Sequence, residues 1–323
     1  MIKLKRNKRS IPPSNNIASF REALQQCRNL ILVAGAGLSA ASGIPTFRGA
    51  GGYWRSFEAT RLATPEAFDA NPGLVWQASS PFYSTTIAEK SIVLSCKPNN
   101  AHHVIARLLD PNYRSAIAPL AAKCTLITQN VDGLSVRAQE ELQAVTSTPT
   151  DNTILKQGEI IEMHGRLLET LCTKCRHRSP DARTPVCPAL AGTELRTEAI
   201  MDDSGKRVPE AEISSKDLPR CEKDDCGGLL RPGVVWFGES IPGLNTIESL
   251  VEEADMCLVV GTSSVVYPAA GFADVVQHNG GKVAVFNIEA SQGDQSAEFL
   301  FLGPCEKTLG EALGIEVPAT REP

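Results

Sequence analysis

No stretch of this 323-residue chain offers the roughly 20 consecutive apolar residues that a membrane helix needs. The longest candidate, residues 30–41, is broken by Gly35, Gly37 and Ser39, so no membrane span is expected. Positive charge is also scarce: 32 Lys and Arg face 37 Asp and Glu, a formal net charge of −5. That balance argues against a nucleic-acid binder that works by neutralising phosphates. The N-terminus lacks an apolar signal-type stretch, so export is not expected. The ten cysteines lack the even distribution of a secreted disulfide scaffold. The expectation is therefore an intracellular protein. What the N-terminus has instead is Lys3, Lys5, Arg6, Lys8 and Arg9, with no acid before Glu22. This reads as a disordered basic tail over residues 1–16. A mitochondrial presequence or a nuclear-import patch has the same composition, and the balance leans toward the mitochondrion.

With 42% hydrophobic and 21% charged residues, the rest of the chain suits a globular protein with one large core and a smaller module. Apolar spacing predicts a helix over 17–28, with Phe20, Ala23 and Leu24 on one face and Ser19 as its cap. Short unbroken apolar runs follow at 30–34, 124–128, 256–260 and 283–287, the pattern of strands buried on both faces. Helical patterns at 102–109, 246–254 and 269–278 alternate with them. The expected fold is therefore α/β, a Rossmann-like doubly wound parallel sheet. Residues 50–100 read as a helical and loop insertion, and 138–158 as a polar surface loop. Residues 172–226 are too poor in apolar side chains to form a core unaided and need a staple. The expected division is 17–164 and 230–318 for the discontinuous Rossmann-like domain, with 165–229 as a separate smaller module.

That staple is legible. Cys172 and Cys175, then Cys221 and Cys226, form two knuckles suited to a tetrahedral thiolate site. No histidine joins the second knuckle, so four protein ligands close the site and the zinc is structural rather than catalytic. Redox or disulfide pairs are the alternative. Cys187 lies between the knuckles and is not expected to be a ligand.

The Gly-rich turn Gly35-Ala36-Gly37-Leu38-Ser39-Ala40 directly follows the first apolar run. Glycines there let backbone N–H groups approach a pyrophosphate, with a following helix N-terminus favouring the negative charge. A hydride-transferring dehydrogenase would carry an acidic residue about 20 positions further on, at the end of a second strand. The stretch Gly43 to Gly52 cannot supply that strand, which weakens the oxidoreductase reading. Thr128-Gln129-Asn130-Val131-Asp132 ends another apolar run, where open α/β sheets bind ligands. His164, followed by Gly165, is a candidate general base. His102, His103, His177 and His278 read as surface or structural residues. Gly261-Thr262-Ser263 and Asn287-Ile288-Glu289 mark two further strand ends, and Glu289 is a candidate for the missing ribose-binding acid.

Together these motifs closely resemble the sirtuins over nearly the whole chain, from about Phe20 to Leu313. The resemblance rests on Gly35 to Arg48, Gln129-Asn130-Val131-Asp132, His164-Gly165, the four cysteines, Gly261-Thr262-Ser263 and Asn287-Ile288-Glu289. Gly51-Gly52-Tyr53-Trp54-Arg55, Leu62-Ala63-Thr64-Pro65 and the segment from Arg231 to Glu239 are most similar to the subgroup that removes acidic acyl groups.

The resemblance implies an NAD-dependent protein-lysine deacylase (deacetylase, desuccinylase or demalonylase) with an acyl-lysine protein or peptide as substrate; a monomer is expected. NAD would lie with its pyrophosphate on Gly35, Ala36, Gly37, Leu38, Ser39 and Ala40, flanked by Pro45, Thr46, Phe47, Arg48, Tyr53 and Trp54. Gln129, Asn130, Val131 and Asp132 would hold the nicotinamide ribose and carboxamide. Gly261, Thr262, Ser263 and Cys305 would line the adenine end, with the adenosine ribose near Asn287, Ile288 and Glu289. His164 would accept a proton from the ribose hydroxyls while the acyl group passes to ADP-ribose. The substrate backbone would pair near Val234, Trp236, Phe237, Gly238 and Glu239. Ala63 would leave room for the acyl tail, and Tyr83 would bind an acidic tail. Thr86, however, stands where the subgroup has an arginine, and no arginine occurs between Arg61 and Arg107. Lys90 is the candidate substitute, as a point charge without the bidentate fork. A weakened preference for succinyl or malonyl groups follows. Nicotinamide release with NAD and an acylated peptide separates the deacylase from an oxidoreductase; a zinc-dependent binding protein that has lost turnover is the remaining alternative, and the presence of His164, Asn130 and Asp132 argues against it.

Overall fold

The computed structural model describes residues 12–46, 62–77, 79–80, 83–84, 86–146, 157–192, 212–263, 266–291 and 293–317. Helix α1 (Ile17–Gln26) buries Phe20, Ala23 and Leu24 along one face, as their spacing requires. Its cap is Asn16 rather than Ser19: the Asn16 side chain accepts from the Ser19 N–H at 2.9 Å. Ser19 occupies the third helical position, whose orphan N–H a cap serves. Ser14 and Asn16, expected within the disordered tail, make defined contacts. Ser14 bridges to Phe299, its N–H donating to the Glu298 carbonyl and its carbonyl accepting from Leu300 N–H, both at 2.9 Å.

Strand β1 (Asn29–Ala34) is followed by two single 3₁₀ turns, Ala36–Leu38 and Ala40–Ser42, and not by the helix expected at the Gly-rich turn. The region between β1 and the next strand of the sheet is largely helical where described. It holds α2 (Pro65–Ala70), α3 (Pro72–Gln77), the short hairpin of β2 (Ser79–Ser80) and β3 (Tyr83–Ser84), and α4 (Thr86–Ser95). Helices α5 (Asn100–Leu109) and α6 (Pro111–Ile117) lead into β4 (Lys123–Thr128). Helix α7 (Leu134–Thr146) occupies the first half of the stretch expected to be a surface loop. It buries Leu134, Ser135, Ala138 and Leu142 and turns Glu140, Glu141 and Gln143 outward, which gave it a polar sequence. Strand β5 (Glu159–Glu162), β6 (Gly165–Cys172), β7 (Arg178–Pro180) and β8 (Leu230–Val234) follow. The chain then alternates α8 (Leu244–Glu253), β9 (Met256–Val260), α9 (Phe272–His278), β10 (Lys282–Asn287), β11 (Phe299–Leu302) and α10 (Cys305–Leu313).

Six of these strands form one parallel sheet in the order β11-β10-β9-β1-β4-β5. Side chains alternate between its faces. Leu30, Leu32, Leu126, Leu258 and Phe286 pack with α1, α5 and α10, whereas Ile31, Val33, Ile127, Val259 and Val285 pack with α8 and α9. Burial on both faces is why these strands read as unbroken apolar runs. Phe20 closes the first layer, fully buried and edge-on to Phe286, Phe299 and Phe301 at 5.3–5.8 Å.

A second, antiparallel sheet has the order β7-β6-β8. Residues 230–234, expected to begin the return to the parallel sheet, pair with β6 instead. Pro232 hid this strand from the sequence reading, and it is tolerated because β8 is an edge.

Candidate active site

Strand order reverses beside β1: the chain steps from β1 to β4 and β5 on one side, then returns to β9 and β10 on the other. Open α/β sheets bind ligands at the carboxyl ends of the strands at such a point. Here the first turn after β1 and the first residues after β9 touch. Gly35 N–H donates to the Val260 carbonyl at 3.0 Å, and Gly37 N–H to the Gly261 carbonyl at 2.8 Å. A Cβ on Gly37 would lie 2.8 Å from Gly261 Cα, and Gly261 itself has φ +60. The glycines are required by this close approach.

A cavity of about 1000 Å³ opens over the turn. One end is lined by Gly35, Ala36, Gly37, Ser39, Ala40, Pro45 and Thr46, together with Gly261, Thr262, Ser263, Asn287, Ile288, Glu289 and Cys305. Leu38, expected with them, is 1% exposed and packs in the core beneath the turn. Phe47, Arg48, Tyr53 and Trp54 lie outside the described residues. Asn287 Nδ2 donates to the Thr262 carbonyl at 3.1 Å, and Gln129 Nε2 to Thr262 Oγ1 at 3.3 Å, joining three strand ends.

Gln129, Asn130, Val131, Asp132 and His164 line the middle of the cavity. Ser39 Oγ donates to Asp132 Oδ2 at 2.7 Å, and Asn130 Nδ2 donates to Ser39 Oγ at 3.2 Å and to the Gly35 carbonyl at 3.1 Å. The second Asp132 oxygen accepts from Leu134 N–H at 2.8 Å. Burial raises the Asp132 carboxyl above its ordinary value, and the Ser39 and Leu134 bonds oppose that rise. His102, read from sequence as structural or exposed, is 1% exposed and reaches this network, its Nε2 lying 3.4 Å from Ser39 Oγ. Its Nδ1 accepts from Asn99 N–H at 3.2 Å, which fixes the proton on Nε2 and makes His102 a donor to Ser39. Burial holds its pKa at about 3, so it stays neutral. The sequence signal was Asn99-x-x-His102, a capping box whose fourth residue is a histidine.

His164 sits in the turn between β5 and β6. Its Nδ1 lies 3.1 Å from the Gln129 carbonyl, which can only accept, so Nδ1 carries the proton and Nε2 is left basic. Burial lowers its pKa and the Gln129 bond partly restores it. Gly165 has φ +78, and a Cβ there would overlap the Gly233 carbonyl.

At the far end the cavity is apolar, lined by Leu62, Ala63, Val75, Ile92, Val93 and Leu167 beside the segment Val234 to Glu239. Val235 N–H donates to the His164 carbonyl at 2.7 Å and Phe237 N–H to the Ala63 carbonyl at 3.0 Å. Glu239, expected to face substrate, also binds within the chain: its carboxylate takes both arms of Arg231 at 2.6 and 2.8 Å. Tyr83 is placed in β3, but its side chain lies outside the described residues, as does that of Thr86. Lys90 does not substitute for the missing arginine. It is fully buried, donates to the Asp181 carbonyl at 2.6 Å and lies 4.0 Å from the Asp181 carboxylate. Burial lowers its pKa to about 8. Among the described residues, no lysine or arginine lines the cavity.

Away from the cavity, the sulfurs of Cys172, Cys175, Cys221 and Cys226 all lie within 4.8 Å of one another. Cys172 and Cys226 are 3.7 Å apart, as are Cys175 and Cys221. A tetrahedron of thiolates about 2.3 Å from zinc has edges of about 3.8 Å. The four residues therefore fit one zinc ion. Cys187 stands apart, directed at the Asp217 carbonyl at 3.3 Å.

Comparison with known proteins agrees with this geometry. The Sir2 family model matches residues 35–268. The mitochondrial NAD-dependent protein deacylase sirtuin-5 of Xenopus tropicalis is 41% identical over 303 residues, covering 93% of this chain and 86% of that protein. An NAD-dependent protein deacylase of Daphnia pulex is 39% identical, with 93% and 97% covered. Among solved structures, a Sir2 homologue–NAD complex superposes with a TM-score of 0.68 at 30% identity, covering 95% of this chain and 96% of that one. A Sir2–p53 peptide–NAD+ complex gives 0.64 at 25% identity, with 93% and 100% covered. A family model that matches residues 35–268 and relatives about 40% identical over most of the chain have one explanation: this chain belongs to the Sir2 family.

Proposed function

We propose that this chain is an NAD-dependent protein-lysine deacylase that releases nicotinamide and passes the acyl group of acyl-lysine to ADP-ribose. One observation carries the reading. A single cavity joins the glycine turn at the strand switch point, a buried Asn/Asp/Ser cluster, a histidine with a basic Nε2, and an apolar recess.

The donor set suits NAD. Gly35, Ala36, Gly37 and Ser39 line the cavity where a pyrophosphate would lie, Asn287 and Glu289 stand at a strand end where a ribose would be held, and Asn130 and Asp132 would address its nicotinamide half. Bound there, NAD supplies an electrophilic ribose carbon with nicotinamide as leaving group. His164 Nε2 would be the base that takes up a proton from a ribose hydroxyl of bound NAD. Burial keeps this imidazole neutral at physiological pH, so it is ready as a base. Asp132 and Asn130 hold their places through Ser39, which His102 orients in turn. The segment Val234 to Glu239 receives the substrate backbone, and the zinc of the cysteine module is remote from chemistry and structural.

The apolar wall beside Ala63 and the diversion of Lys90 to Asp181 support a roomy pocket with weakened preference for succinyl or malonyl tails. The basic N-terminal residues and the mitochondrial relatives support a mitochondrial address. Nicotinamide release that requires both NAD and an acyl-lysine peptide, and that disappears in His164→Ala, tests the assignment. Release without peptide, or full activity of the variant, would refute it.

A further inference from the structure

We infer that Arg231 is a positioning residue: a buried guanidinium that holds residues 234–239 in the shape that receives the substrate backbone, and ties that shape to the base. The inference rests on the deacylase reading above. Residues 235–239 have no regular secondary structure, so their conformation must be fixed by side chains. Arg231 is 4% exposed and does not line the cavity. Its Nη1 and Nη2 grip the two oxygens of Glu239 at 2.6 and 2.8 Å, and Nη2 also donates to the Val234 carbonyl at 2.8 Å. The guanidinium carbon lies 3.5 Å from the centroid of the Trp236 ring, which packs in turn on Phe68 at 5.3 Å. Glu239 closes the loop by accepting from Trp236 N–H at 2.8 Å. One side chain thus binds the start, middle and end of the segment.

The same segment is bonded outward at two points that matter to the reaction. Val235 N–H holds the carbonyl of His164, and Phe237 N–H holds that of Ala63. Base, acyl-pocket wall and peptide edge are therefore referred to one buried cation. A lysine could keep the charge but lacks the planar fork and the stacking face. A buried ion pair is an inefficient way to gain stability, and fixing one register is among its best attested uses. The glycine turn at the NAD end is held separately, by Gly261 and Val260.

The test uses the full-length zinc-loaded protein, titrated with NAD and, separately, with an acetyl-lysine peptide, for wild type, Arg231→Lys and Glu239→Gln. Both variants should bind peptide about tenfold more weakly or worse, as expected for losing a charge-assisted fork. Their NAD affinity should change less than about twofold, because no partner is shared with that end. Folded variants that bind peptide like wild type would overturn the inference. So would variants in which NAD and peptide affinity fall together, since that marks a general structural role. If Arg231→Lys does not fold, Glu239→Gln decides by the same two titrations. A wild type that neither binds nor turns over the peptide would overturn the deacylase reading and this inference with it, whereas an active wild type with unaffected variants overturns this inference alone.

Discussion

Asp132→Asn changes one atom, yet the hydrogen-bond arithmetic around it predicts a large effect. Four donors meet Ser39 Oγ and the two carboxylate oxygens here. Ser39 Oγ receives Asn130 Nδ2 at 3.2 Å and His102 Nε2 at 3.4 Å, so its own proton must go to Asp132, at 2.7 Å. The other carboxylate oxygen must accept from Leu134 N–H, at 2.8 Å. Asparagine cannot meet both demands. With its oxygen toward Leu134, its NH₂ faces a serine that already has two donors; flipped, its NH₂ faces the Leu134 N–H. Either way a buried donor is left unpaired, at about 1–3 kcal/mol. Lysing that network should lower the melting temperature by about 2–4 °C per kcal/mol. Activity should fall more steeply than stability, because Asn130 and Ser39 lose their fixed places beside the cavity. Thermal melting and peptide-dependent nicotinamide release on the same preparation measure both. A variant that melts within about 1 °C of wild type and retains full turnover would refute the proton assignment of Ser39 and His102.

Three further outcomes follow from the geometry. Chelation should remove one zinc per chain and unfold residues around β6 to β8, since structural zinc supplies on the order of 10 kcal/mol to a small module; metal analysis showing no zinc in purified protein would contradict this. The acid limb of kcat/KM should lie below the ordinary histidine value of 6.5, because burial lowers His164 and activity is lost only as pH falls through that lowered value; a limb above 6.5 would exclude His164 as the base. Gly37→Ala should weaken NAD binding and cost about 1–3 kcal/mol of stability, because its Cβ would meet Gly261 backbone atoms at 2.8 Å; calorimetric titration and melting curves decide it.

The strands that carry the site were legible because they are buried on both faces. Residues 256–260 match β9, and the runs at 30–34, 124–128 and 283–287 match β1, β4 and β10 to within one residue at their starts. Edge strands were not legible. In β5, Glu159 and Glu162 bracket only two apolar residues, and β8 contains Pro232 and Gly233. The four cysteines could be read because metal geometry fixes their spacing. Most of the residues expected on the cofactor side do line the cavity, because glycines and small polar residues at strand ends have few other reasons to cluster. His102 could not be read, since it acts through a partner distant in sequence: Ser39 lies 63 positions away. Lys90 was misread for the same reason. Its position in sequence suited an acyl tail, but the fold carries it to Asp181.

The central claim is that one cavity uses NAD as a reactant to strip acyl groups from lysine. Mass spectrometry of the purified protein incubated with NAD and acetyl-, malonyl- and succinyl-lysine versions of one peptide tests it most directly. The account predicts deacylated peptide, nicotinamide and O-acyl-ADP-ribose in equal amounts, with no large preference for the acidic tails. Intact peptide accompanied by reduced cofactor, or by no change at all, would contradict it.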